Sequence, residues 1–246
     1  MKEYRIKSKI YKKYKARYIK ISKNQFRIME SLFLDGSKEK NYYDSKNKLR
    51  YSEHSGLLDF GKSTLEKIII NAKKNLSDKI DDTILLPENM IDAIDYEYIF
   101  HTHPSTPSPG SRIEEGVLYE FPSVSDLYHF AYHYNEGRTQ GSIIIAPEGL
   151  YIIKCIDPNK KVYIKDEMMD YLTGEFFNIQ HSAINKYAYK FNINKFYDKI
   201  IKDMEYINLY NLLIKSLNLK IFYKPREKID NKWVLNDLYL KISPIE

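Results

Sequence analysis

Two histidines one residue apart, closing an aromatic stretch and preceding a proline, constrain this chain more than any other feature. Tyr96-Glu97-Tyr98-Ile99-Phe100 has the composition of a strand and runs into His101-Thr102-His103-Pro104. Side chains two apart on an extended chain point to one side, so His101 and His103 are expected to face the same space. Pro104 has no backbone N–H to donate and ends regular pairing, which sets the second histidine at a strand end, where sites are commonly assembled. Downstream, Leu127, Phe130, Ala131 and Tyr134 recur at spacings of three and four, an amphipathic helix over 123–135 with Ser123 as its N-cap. Asp126 then falls on the first helical turn, where backbone N–H groups and the helix dipole favour an ionised carboxylate.

Two neutral imidazoles and one carboxylate hold a zinc ion and leave it a fourth position for water, the donor set of a catalytic site. Each half has a plainer reading. Ser-x-x-Asp before an apolar run is an ordinary capping box, and His-x-His also occurs on strands with no metal. A cap, however, does not require two same-face histidines upstream, so the pair together points to metal.

These residues resemble the signature of the JAMM (JAB/MPN+) metalloproteases, zinc enzymes that mostly cleave isopeptide bonds to ubiquitin or related modifiers. Glu53-His54-Ser55-Gly56-Leu57-Leu58 is similar to that family's Glu-x-x-Gly-x-Leu segment. The resemblance covers residues 48–157. It implies His101, His103 and Asp126 as zinc ligands, Ser123 as the transition-state serine and Glu53 as general base. The chain departs from the pattern in the 22 residues between His103 and Asp126, a longer separation than the family's. The surplus begins Ser105-Thr106-Pro107-Ser108-Pro109-Gly110, a loop composition, and an insertion in a surface loop costs little closure entropy. Leaving directly from a ligand, the 104–122 loop is expected to wall the substrate cleft; a passive loop is the alternative. His-Thr-His-Pro, Tyr119-Glu120-Phe121-Pro122-Ser123 and Gln140-Gly141-Ser142 also resemble an uncharacterised JAB-type branch from large DNA viruses.

The chemistry asks for a base. Zinc polarises an amide carbonyl and brings the pKa of water to about 7, and a carboxylate must then take the proton. Glu53 is expected to do so and to pass it to the leaving amine, while the Ser123 hydroxyl donates to the oxyanion. Glu66 and Glu97 also precede the histidines. Glu66 lies in the apolar run 65–70, and Glu97, four residues back along the strand, is about 13 Å from His101. Glu53 ranks first because a turn at Gly56 gives it a defined position. His129 and His133 stand four apart, but Phe130 occupies the place of the glutamate in His-Glu-x-x-His, so they are expected at the surface or in packing. The single cysteine, Cys155, excludes an internal disulfide and a multi-cysteine metal site, and its apolar neighbourhood suits core packing. The Pro-Cys-x-x-Cys half of a zinc deaminase and a Gly-rich phosphate loop are both missing.

At 246 residues, 43% hydrophobic and 14% aromatic, the chain can bury one substantial core and a smaller second unit. No run approaches the ~20 apolar residues of a membrane span, and the charged N-terminal stretch, without an apolar run, sets the expectation that the chain is not secreted. One cysteine suits a reducing compartment, cytoplasmic or nuclear, or the host cytoplasm or virion if the chain is viral. Residues 1–27 carry eleven Lys or Arg against Glu3 alone, net +10, whereas the whole chain is +6. With Tyr4, Tyr11, Tyr14 and Tyr18 interleaved, this arm is expected to bind nucleic acid or an acidic partner, or to be a solvated basic segment.

The organisation expected is a basic N-terminal arm and connector (1–47), a JAB/MPN-like catalytic domain (48–157) ending in a hairpin turned at Pro147-Glu148-Gly149, and a helical and strand C-terminal extension (158–246). In that extension 167–217 is helical in period and broken near Thr173-Gly174, with late strands at 219–223 and 233–242 around Pro225. The fold class expected is α/β, a mixed β-sheet flanked by helices. The resemblance implies three layers like those of JAB/MPN and cytidine-deaminase folds. The function expected is zinc-dependent hydrolysis of peptide or isopeptide bonds, as in a deubiquitinase-like isopeptidase. A catalytically silent MPN-like scaffold and a nucleic-acid-associated protein are the readings from other classes.

Overall fold

The computed structural model describes residues 17–36, 41–43, 46–51, 53–70, 96–103, 110, 112–187 and 192–243. In chain order the elements are β1 (Arg17–Ile21), α1 (Lys23–Ser31), β2 (Asn41–Tyr43), β3 (Leu49–Tyr51), β4 (Ser55–Phe60), β5 (Leu65–Ile70) and β6 (Tyr98–Thr102). There follow α2 (Val124–Glu136), β7 (Gly141–Ile145), β8 (Gly149–Cys155), α3 (Asp166–Tyr187), α4 (Ile193–Asp198) and α5 (Glu205–Ile214). The last strands are β9 (Leu219–Pro225), β10 (Glu227–Ile229), β11 (Lys232–Val234) and β12 (Leu238–Ile242).

Six strands make one mixed sheet in the order β5-β4-β6-β7-β8-β9, parallel between β6 and β7 and antiparallel elsewhere. Alternation along the strands splits the core into two layers. Tyr98, Phe100, Ile143, Ile145, Leu150 and Ile152 pack against Ile19 and Ile21 of β1, Phe26 and Met29 of α1, and β12. Ile144, Tyr151, Ile153, Leu219 and Ile221 point the other way, onto α2, α3 and α5. By the same parity His101 faces the α2 side. The α/β expectation is met at this level: a mixed sheet covered by helices.

The helix headed by Ser123 and the hairpin turned at 147–149 form where periodicity and turn residues put them. Four expectations change. The helical break near Thr173-Gly174 is absent, because α3 runs through it: Leu172, Phe176, Ile179 and Ala183 keep one face buried, and that packing outweighs the about 1 kcal/mol an interior glycine costs. Gly56 is no turn residue. It lies inside β4, where a Cβ would sit 2.1 Å from the Ile69 carbonyl and 2.5 Å from the Phe100 ring. The late strand at 233–242 is two strands with different partners, β11 on β10 across Asp230 and Asn231, both at positive φ, and β12 on β1. Finally, the second half of the long loop is core, with Leu118, Tyr119 and Phe121 buried under the helices.

Residues placed in the C-terminal extension supply β9 to the main sheet and β12 to β1. Of the basic arm, residues 1–16 lie outside the described residues, as do Pro104–Pro109 and Ser111 of the loop. Arg17 donates to the Gly61 carbonyl and Lys20 pairs with Asp237 at 2.5 Å, so these two cations are engaged in the fold. No helix among the described residues is long and apolar enough to cross a membrane.

Candidate metal centre

The site forms where β6 ends, and each side chain arrives by a local rule. Ser55 pairs with His101 in the β4–β6 ladder. One residue earlier, the His54 carbonyl accepts from Thr102 N–H at 2.8 Å, and His54 N–H donates to the Thr102 hydroxyl at 3.0 Å. That extension of the register carries Glu53 to the level of His103. His103 is fixed through its backbone, whose N–H donates to the Ile145 carbonyl at 2.8 Å. Asp126 comes from α2, the crossover helix joining β6 to its parallel neighbour β7.

His101 is 1% exposed and Asp126 3%, with His101 Nε2 lying 3.0 Å from Asp126 Oδ1. His103 Nε2 lies 3.2 Å from Asp126 Oδ2 and 3.8 Å from Glu53 Oε1. The imidazole centroids are 4.9 Å apart. Glu53, His101 and His103 offer ligand atoms within 4.8 Å of one another, a group that could hold a metal ion. The structure thus brings together all four of these residues.

Hydrogen bonding around the site tests its fitness for a cation. Neither ring nitrogen of His101 has a hydrogen-bond partner among the described residues; its approach to Asp126 is close but misaligned. An orphaned, buried imidazole aimed at a carboxylate is costly unless something else sits between them. His103 Nδ1 donates to the Glu120 carbonyl at 3.2 Å, which turns Nε2 toward Asp126 and Glu53; in the neutral ring a cation would need, the lone pair is then on Nε2. Ser123 N–H and Oγ donate to Asp126 Oδ2 at 2.6 and 2.9 Å, while Asp126 N–H donates back to Ser123 Oγ at 3.1 Å. The capping-box and ligand readings of Asp126 are therefore compatible: Oδ2 caps the helix and Oδ1 faces His101.

Electrostatics follow from this crowding. Burial opposes ionisation of Asp126, but His103 and His101 hold its carboxyl well below the usual range. Burial likewise opposes charge on His103, and Asp126 and Glu53 outweigh it, raising the ring to about 10. Such mutual stabilisation of opposite charges is what a cation would replace. Glu53 differs: 39% of its side chain is open to solvent, yet desolvation of its carboxyl end pushes its pKa up against the pull of the histidines.

The remaining candidates stay away. Glu97 accepts from Phe60 N–H at 3.0 Å, at the far end of β6, and Glu66 is exposed on β5. His129 and His133 join no metal-capable group among the described residues; burial lowers His133 to about 4, so it packs as a neutral ring. Cys155 is half-buried against the helix-side core, and burial raises its thiol to about 11. Sequence reasoning missed the hold on His103 by Glu120, because a carbonyl is not a residue type. The alternation of buried Tyr119 and Phe121 around it was the available signal. Gln180 of α3 locks this segment, accepting from Leu118 and Tyr119 N–H at 3.2 and 3.3 Å and donating to the Tyr119 carbonyl at 2.5 Å.

No family model matches the chain, and no solved structure matches it. It is similar to a viral protein, the uncharacterized protein R413 of Acanthamoeba polyphaga mimivirus, at 33% identity over 232 residues that make up 91% of this chain and 65% of that relative.

Proposed function

We propose that this chain is a zinc-dependent hydrolase of the JAMM type, on a JAB/MPN-like fold, that cleaves peptide or isopeptide bonds, including those to ubiquitin-like modifiers. One observation carries the reading: His101 and His103 converge on the Asp126 carboxylate, and Glu53 stands at the open side 3.8 Å from His103 Nε2. The donor set of two imidazoles and a carboxylate fits zinc with an open position. When bound, the ion supplies a Lewis acid that polarises a carbonyl and acidifies water. Glu53 is the group that moves the proton, taking it from the attacking water and delivering it to the departing nitrogen; its partial exposure keeps it within reach of both. Ser123 caps α2 and orients Asp126, and its exposed position beside the site allows its hydroxyl to turn from Asp126 toward an oxyanion.

The test joins metal content with turnover. Purified protein is expected to carry about one zinc per chain and to cleave at least one member of a panel of ubiquitin-like conjugates and peptides. Glu53→Gln is expected to keep zinc and fold while losing turnover by about 10²-fold or more. A wild-type chain that takes up no zinc overturns the reading. Stoichiometric zinc with no cleavage across the panel favours a silent scaffold.

A further inference from the structure

The β10–β11 hairpin carries the chain's single tryptophan, in a setting that the metal centre does not use. Asp230 and Asn231, both at positive φ, turn the chain tightly, and the resulting register sets Lys228 directly opposite Trp233. Opposed residues of an antiparallel pair project from one face, so ring and ammonium share a side. Glu227, one residue along, projects from the other face and accepts from the Asn236 side chain. Tyr197 of α4 stacks on the indole with ring centroids 4.8 Å and planes 13° apart, and its hydroxyl donates to the Pro147 carbonyl at 3.4 Å, which ties the stack to the β7–β8 turn. After α4 the 3₁₀ turn Ile200–Lys202 buries Ile200 and Ile201 and leaves Lys202 exposed. Lys202 Nζ lies 6.0 Å and Lys228 Nζ 5.9 Å from the centre of the Trp233 ring. An indole attracts one ammonium, but two at the same ring repel each other. Neither lysine has an ion pair among the described residues, and the exposed Asp198 and Asp230 pair with neither. An anion between the two ammonium groups would relieve their repulsion, and the aromatic pair beside them offers a surface for a flat ring. Stacked bases with neutralised phosphates are how proteins hold single strands.

We propose that the Tyr197–Trp233 stack with Lys202 and Lys228 is a binding site for single-stranded nucleic acid, a base stacking on the aromatic pair and the two ammonium groups meeting the flanking phosphates. The site stands apart from the metal reading and does not depend on it. Because Trp233 is the only tryptophan, its emission reads this site whatever the basic N-terminal arm does. In the full chain an oligothymidylate of about ten nucleotides is expected to quench that emission, with an affinity that falls as salt rises. Inorganic polyphosphate and oligoglutamate of matched charge are expected to bind at least about 10-fold more weakly and to leave the emission unchanged, since neither has a base to stack. Lys202→Gln and Lys228→Gln, both at exposed positions, are each expected to reduce the slope of log affinity against log salt by about 0.7. Emission unmoved by the oligonucleotide at low salt overturns the proposal, whether or not the strand binds elsewhere on the chain. Equal quenching by polyphosphate or oligoglutamate overturns it in favour of a general anion site or a surface for an acidic protein. Lysine variants that keep the wild-type salt slope overturn it as well, by showing that the two ammonium groups meet no phosphate.

Discussion

Asp126 carries two duties that rarely fall on one carboxylate: it closes a capping box with Ser123 and it faces two imidazoles. The duties separate by substitution. Asp126→Asn keeps an oxygen for the Ser123 N–H and is expected to lose zinc with α2 intact, because a neutral amide is a poor third ligand for a divalent cation. Ser123→Ala is expected to cost about 1 kcal/mol of stability, read by urea unfolding, and to weaken zinc without abolishing it. Zinc bound by Asp126→Asn as tightly as by the wild type would exclude Asp126 as a ligand. These residues were legible in the sequence because the chemistry sits in side-chain type and short spacing. Glu120 and Gln180 were not, since they act through a carbonyl and through a helix some 60 residues distant in sequence, neither of which leaves a pattern in a window of neighbours.

Among the elements, α2 and the β7–β8 hairpin were legible because periodicity and turn chemistry agree there. Thr173-Gly174 misled because a glycine inside a helix resembles a stop signal, and only the burial of α3 against the rest of the core shows that it is none. Thr173 Oγ1 donates to the Met169 carbonyl at 2.8 Å, within the helix, and a Cβ built on Gly174 meets nothing within 4 Å. Gly174→Ala is therefore expected to raise stability by about 0.5–1 kcal/mol, measured as an increase in the urea midpoint at constant slope; a decrease would mean that α3 needs the glycine. Gly56 is the opposite case, a glycine demanded by the close approach of neighbouring backbone and ring and invisible as such in sequence.

At the scale of the molecule, long-range pairing is what the sequence concealed: β1 meets β12 across more than 200 residues, and Arg226 ties three elements together. Its guanidinium pairs with Glu30 of α1 and donates to the Pro147 and Ala146 carbonyls, while it is 4% exposed itself. Arg226→Ala leaves a partly buried carboxylate and two carbonyls without that partner, and is expected to cost about 3 kcal/mol in chemical unfolding. The Arg226→Met, Glu30→Met double variant should recover much of it, and a double variant no better than the single one would show that the carbonyls, not the ion pair, dominate. The crossover from β6 through α2 to β7 has a consequence in time as well as in space. His101, His103 and Asp126 lie within 26 residues of chain, whereas Glu53 precedes His101 by 48 and joins only through β4. Short loops close early at low entropic cost. During folding, then, the crossover can bring the two imidazoles and the carboxylate together while β4 is still undocked, and Glu53 arrives last. On the proposed reading, refolding with a zinc indicator present is expected to show metal uptake before the return of turnover, and simultaneous recovery of the two would exclude that order.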